Sequence, residues 1–174
     1  YQTHAGEKPT SMPGGASYLL PAASEDEQKI YQMTLNFSVK ELLAVTRAEH
    51  TTITAFFTAL FAQTAMKQQQ YEKKTSGKTL LPVQVMVPIN LRKQFARDSL
   101  RNFPLYALPK LPPEAADAPF SEIVQSMAVQ IQAQSAKSRL RAAIATNVAL
   151  EQKTASFPLW TKCAAYPKRR PFIR

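Results

Sequence analysis

Apolar and polar positions alternate over residues 30–37, IYQMTLNF, with Tyr31, Met33, Leu35 and Phe37 on one side and Ile30, Gln32, Thr34 and Asn36 on the other. That period of two predicts a half-buried strand. Ser38 and Glu41 then form an S-x-x-E capping pattern, with Phe37 placed as the staple residue before it. Val39, Leu42, Leu43 and Val45 supply the stripe of a short helix ending near His50. Thr52 or Thr54 caps a second helix that stops near Gly77. Its Ile53, Phe56, Phe57, Leu60, Phe61 and Thr64 recur at helical spacing and read as core, while Ala55, Ala59, Ala62 and Ala65 let neighbours approach.

Two strands follow. Residues 81–89 carry Val83, Val85 and Val87 on one face. Residues 100–108 place Phe103, Leu105 and Ala107 on one face and Asn102, Pro104 and Tyr106 on the other. The proline-rich PKLPPEAADAP is a loop, and Ser121 is read as the N-cap of a long helix with Glu122 in its first turn. Its stripe runs through Ile123, Val124, Met127 and Ile131 to Leu140, Ile144 and Val148. The polar middle, QIQAQSAKSR, predicts a kink or two helices meeting near Ser138. SFPLWTKCAAYP is expected to be a loop or short helix packed on the sheet.

The order strand, helix, helix, strand, strand, helix predicts an α/β fold in which helices pack on a layered mixed sheet. Residues 1–29 hold three of the four glycines and three prolines and read as a linker or extended arm; residues 30–174 form the domain. Three strands leave edges that something else should cover. No apolar run approaches a membrane span, and no secretory leader is visible, so a cytoplasmic protein is expected.

Chemistry is sparse. The single Cys163 cannot form an internal disulfide and reads as a buried small residue. His4 falls in the arm and His50 at a helix end, so no metal spacing exists. The net charge of +10 would suit an anionic partner, but the basic residues are dispersed, apart from Lys168, Arg169, Arg170 and Arg174. They do not interleave with aromatics, which argues against a nucleic-acid module. The most pointed polar groups are Asn90, Arg92, Arg101 and Asn102, at strand ends. They either anchor the connection between the strands, the favoured reading, or line a ligand channel.

Taken in series, residues 35–65 (LNFSVKELLAVTRAEHTTITAFFTALFAQTA), 85–95 (VMVPINLRKQF) and 100–109 (LRNFPLYALP) resemble the chloramphenicol acetyltransferase-like and condensation-domain superfamily. The likeness covers about residues 30–160 and is nearest to bacterial alcohol acetyltransferase-like proteins. It implies one lobe of a two-lobe enzyme that moves an acyl group from acyl-CoA to an alcohol or amine. No cofactor would be tightly bound, acyl-CoA would be the co-substrate, and the donor and acceptor would be small molecules. The family's HHxxxDG motif and its later DFGWG-like motif are both absent. The chain is therefore expected to be the opening part of the second lobe, with the first lobe as its missing partner. Acyl transfer needs a base to deprotonate the acceptor and donors for the oxyanion. Asp98 and Glu41 have no basic partner to poise them, so the chain alone should carry no catalytic residue and be inactive. The competing expectations are a non-catalytic interaction domain and a basic nucleic-acid-binding module.

Overall fold

The computed structural model describes residues 16–20, 32–77, 79–95 and 104–154. Helix α1 spans Val39–Ala48, and Ser38 is its N-cap, its hydroxyl accepting from the Glu41 N–H at 3.4 Å. Helix α2 spans Ile53–Ser76, capped by Thr52, whose hydroxyl accepts from the Ala55 N–H at 3.2 Å. It ends at Gly77, whose φ of 67° is the left-handed conformation that suits glycine. Three local signals read from sequence thus set both helices.

The turn between α1 and α2 is closed by two backbone bonds. The Thr51 N–H reaches the Thr46 carbonyl at 2.9 Å and the His50 N–H reaches the Arg47 carbonyl at 3.0 Å. This is a left-handed helix cap, with His50 at φ 49° in the position that favours glycine. The helix thus ends near His50, as its spacing predicts, and His50 itself is the strained residue just past it. A left-handed side-chain-bearing residue costs about 1–2 kcal/mol, part of which glycine's greater unfolded-state freedom offsets. His50→Gly is expected to raise stability by about 0.5–1 kcal/mol; a lowered midpoint in thermal unfolding would contradict this account.

Short strands β1 (Val83–Gln84) and β4 (Lys110–Leu111) pair antiparallel, as do β2 (Val87–Asn90) and β3 (Pro104–Ala107). Val83 pairs with Leu111 and Val87 with Ala107, so both pairs share a single uninterrupted register. One hairpin ribbon has been divided at its middle. The cause is Pro109: the Val85 N–H donates to its carbonyl at 3.2 Å, but proline has no N–H to return. By the alternation of an antiparallel ladder, Pro88 and Pro104 occupy positions whose nitrogens point away from the partner strand, where proline is harmless. Val83, Val87, Ile89, Leu105, Ala107 and Leu111 are buried; Met86, Pro88, Asn90, Tyr106 and Lys110 on the other face are exposed. The valine alternation predicted this correctly.

The five-residue α3 (Leu91–Phe95) continues from β2. A 3-10 turn at Pro113–Ala115 leads to α4 (Phe120–Gln134). Pro119 occupies the N-cap of α4 with extended backbone, so Ser121 lies inside the first turn and caps nothing. The predicted long helix is two helices, α4 ending at Gln134 and α5 spanning Lys137–Thr154. The chain divides into two compact units, residues 15–135 forming one and residues 1–14 with 136–174 the other. In the second, the described residues contribute α5, whose Leu140, Ile144, Ala145 and Val148 are buried.

The core of the first unit lies between α2, α4 and the ribbon, and is built from Ala59, Ala62, Ala65, Met66, Val83, Leu111, Ile123, Val124 and Met127. One expectation holds only in part and another fails. On the aromatic stripe of α2, Phe56 is half-buried and packs against the core, but Leu60 and Phe61 are exposed, Phe61 at 63%, while the alanines are buried. Small residues let the α4 backbone approach so closely that the large ones turn elsewhere. Nor do residues 32–37 form a strand; all are exposed, with Met33 at 84%, Leu35 at 67% and Phe37 at 56%. No described strand lies beside them to accept pairing, and periodicity without a neighbour is not a sheet. Val39 and Val45 are exposed as well, which leaves Leu42 and Leu43 as the half-buried part of the α1 stripe. The fold is α/β as expected, but the described strands are antiparallel throughout and no mixed sheet forms among them.

Candidate functional site

Asn90 ends β2 on the exposed face of the ribbon. Its side-chain Oδ1 accepts from the Arg92 N–H at 3.1 Å, which bends the chain into α3. Leu91 between them is fully buried and pins the turn from inside. Asn90 and Arg92 are thus brought together through backbone capping, and Arg92 is half-buried. Arg101 and Asn102 lie outside the described residues, as do His4, Cys163, Trp160 and the cluster Lys168, Arg169, Arg170 and Arg174.

Polar side chains from α2 and α4 serve the ribbon's edges. Gln69 of α2 is buried, and its amide donates to the Leu81 carbonyl at 2.8 Å and accepts from the Leu81 N–H at 2.6 Å. Gln130 of α4 does the same for Lys110, accepting at 2.8 Å and donating at 3.0 Å. Gln134, one turn later, accepts from the Leu108 N–H at 2.7 Å. Each carboxamide offers the donor and acceptor that a neighbouring strand would offer. Gln125 of α4 likewise donates to the Glu49 carbonyl at 2.6 Å, beside the α1 cap. In sequence these glutamines read only as a polar stretch. The i, i+4 spacing of Gln130 and Gln134 on α4 is the signal the sequence offers.

A cavity of about 370 Å³ is lined by Ser17, Tyr18, Leu19, Gln69, Glu72, Thr79 and Leu81. Three of these residues, Ser17, Tyr18 and Leu19, fall inside the segment read as an arm. The Tyr18 N–H donates to the Pro82 carbonyl at 2.9 Å, and the Ser17 hydroxyl donates to Gln84 Oε1 at 2.8 Å. The Tyr18 hydroxyl donates to Glu72 Oε1 at 2.9 Å, and Gln68 donates to the same oxygen at 3.1 Å. Burial, with the Glu72 hydrogen bond and charge adding to it, pushes the Tyr18 phenol up to about 12 from its ordinary 10.0. The raised value fixes the sign: whatever stability this contact adds is fully present below pH 10.0 and is lost as pH rises through about 12.

A second, smaller cavity of about 220 Å³ is lined by Phe37, Ser38, Glu41, Leu42, Val45 and Phe56. Phe37 packs edge-on to Phe57 at 5.8 Å, Phe57 to Phe56 at 5.9 Å, and Phe56 to Phe120 at 5.4 Å. The aromatics of α2 therefore join the exposed segment before α1 to the start of α4. Glu41 has no histidine among the residues lining this cavity, and His50 sits exposed in its turn.

Among the described residues, no group of three or more His, Cys, Asp and Glu side chains is placed to hold a metal ion. No described helix is long and apolar enough to cross a membrane. Comparison with known proteins yields no family model, no curated protein and no solved structure that matches the chain.

Proposed function

We propose that this chain is a non-catalytic part of an acyltransferase that moves an acyl group from acyl-CoA to an alcohol or amine. Its role is to form one wall of the channel in which donor and acceptor meet. The observation that carries the reading is the uncovered apolar row before and within α1. Met33, Leu35, Phe37 and Val39 stand 84%, 67%, 56% and 69% exposed at every second position. Close together in the chain and held by the aromatic contact of Phe37 with Phe57, these four exposed apolar side chains are offered to another protein layer. The resemblance of residues 35–65, 85–95 and 100–109 names the layer as the companion lobe. Asn90 and Arg92 act as anchors of the turn leaving the ribbon, with Arg101 and Asn102 assigned to the same wall. The net charge of +10 favours the phosphates of coenzyme A.

The same apolar row would serve an interaction domain with no part in acyl transfer, so the decisive measurement is chemical. Thiol release from acetyl-CoA and longer acyl-CoAs, with alcohol and amine acceptors, should be followed for this chain and for the full reading frame that encodes it. Release by the full frame and none by the chain is the expected result. Release by neither leaves the interaction domain as the reading. Release by this chain alone would show that it holds its own base.

A further inference from the structure

We propose that residues 16–20 form a releasable strap, standing in for a strand on the outer edge of β1 and pinned chiefly by the hydrogen bond from Tyr18 to Glu72. The ladder alternation explains the site. Pro82 lies just before β1 at a position whose carbonyl points away from β4, and that carbonyl is the acceptor for the Tyr18 N–H. Ser17 reaches Gln84, two residues further along the same edge. The strap therefore occupies the place of a neighbouring strand, with one backbone bond to the ribbon, Tyr18 to Pro82, among the described residues.

Its hold is concentrated on one side chain. Leu19 and Leu20 are 62% and 63% exposed and pack little. Tyr18 is half-buried against the core and makes both the backbone bond and the bond to Glu72. Among the described residues, Glu72 is the one titratable side chain that shares the cavity lining with Tyr18; Ser17, Leu19, Gln69, Thr79 and Leu81 are neutral. Few apolar contacts and few hydrogen bonds place a segment at the low end of local stability. Lifting it opens the cavity of about 370 Å³ and frees the β1 edge for another extended segment, leaving the Gln69 clamp on Leu81 in place. The release is local because Tyr18 packs only on the margin of the core, whose fully buried members Ala62, Met66, Ile123 and Met127 belong to α2 and α4.

Amide hydrogen exchange of the whole chain tests this. In the wild type the Tyr18 amide should exchange by local opening, faster than the Met66 amide of α2. Tyr18→Phe keeps the ring and removes the hydroxyl; it should speed Tyr18 amide exchange about tenfold, the effect of losing one hydrogen bond to a charged group, while Met66 is unchanged. Glu72→Gln retains an acceptor, so the strap should stay protected while the phenol titrates nearer its ordinary value in ultraviolet absorbance. A Tyr18 amide that exchanges only with Met66, or that is indifferent to Tyr18→Phe, overturns the proposal. So does a phenol titration that Glu72→Gln leaves unmoved.

Discussion

Gln69→Ala is expected to lower the unfolding free energy by about 2–3 kcal/mol, since each backbone group deprived of its buried partner costs about 1–3 kcal/mol. The Gln69 carboxamide is buried and holds both polar groups of Leu81, at 2.6 and 2.8 Å. Truncation strips the Leu81 N–H and carbonyl of their partners together. Because Leu81 is 37% exposed, water can recover some of the loss, which keeps the figure below the sum of two full penalties. Gln68→Ala, one residue away and exposed, is the control and should fall within about 0.5 kcal/mol of the wild type. Urea unfolding followed by circular dichroism gives both values. Equal costs for the two substitutions would mean that the clamp contributes nothing beyond a surface glutamine.

Ala62→Leu is expected to cost about 1–3 kcal/mol or more, because added methylenes in a filled core force the surrounding backbone apart. Ala62 is fully buried, and it sits with Ala59 and Ala65 in the face that α2 turns to the core. Phe61→Ala, its immediate neighbour, is expected to change stability by less than about 1 kcal/mol, since an exposed ring has little transfer energy to lose. The pair reverses the ordinary expectation that aromatic truncation is worse than enlarging an alanine. If Phe61→Ala proves the more damaging of the two, the α2 face described above is wrongly oriented.

That reversal marks where reading the chain by its local pattern stops working. Ser38, Thr52 and Gly77 act within a few residues of themselves, and the helices they bound are where the sequence places them. The valines of the ribbon alternate because one side faces the core, and this too is visible locally. The choice between Phe61 and Ala62 as the buried position of α2 depends on how closely α4 approaches, and α4 lies some sixty residues further along the chain. Residues 32–37 carry a strand's periodicity, but a strand also needs a neighbour, which no period reveals. Ser121 has the chemistry of a cap and is displaced from the role by Pro119, whose fixed φ starts the helix earlier.

The site divides in the same way. Asn90 and Arg92 are two apart, and their capping bond could be foreseen from an Asn at a strand end. Tyr18 and Glu72 are separated by 54 positions, and Tyr18 falls in a stretch whose glycines and prolines suggest nothing beyond an arm. Gln69 and Leu81, or Gln130 and Lys110, meet only once helices and ribbon are packed.

Pro88 has a consequence for how this molecule behaves in a crowded solution. It sits mid-way along β2, whose outer side has no strand neighbour among the described residues. A foreign chain laid against that border would find a carbonyl but no amide hydrogen at the centre, and stacking of copies into fibrils would be interrupted at each layer. Purified protein stored concentrated should therefore resist amyloid formation from this side, and Pro88→Val would remove the safeguard.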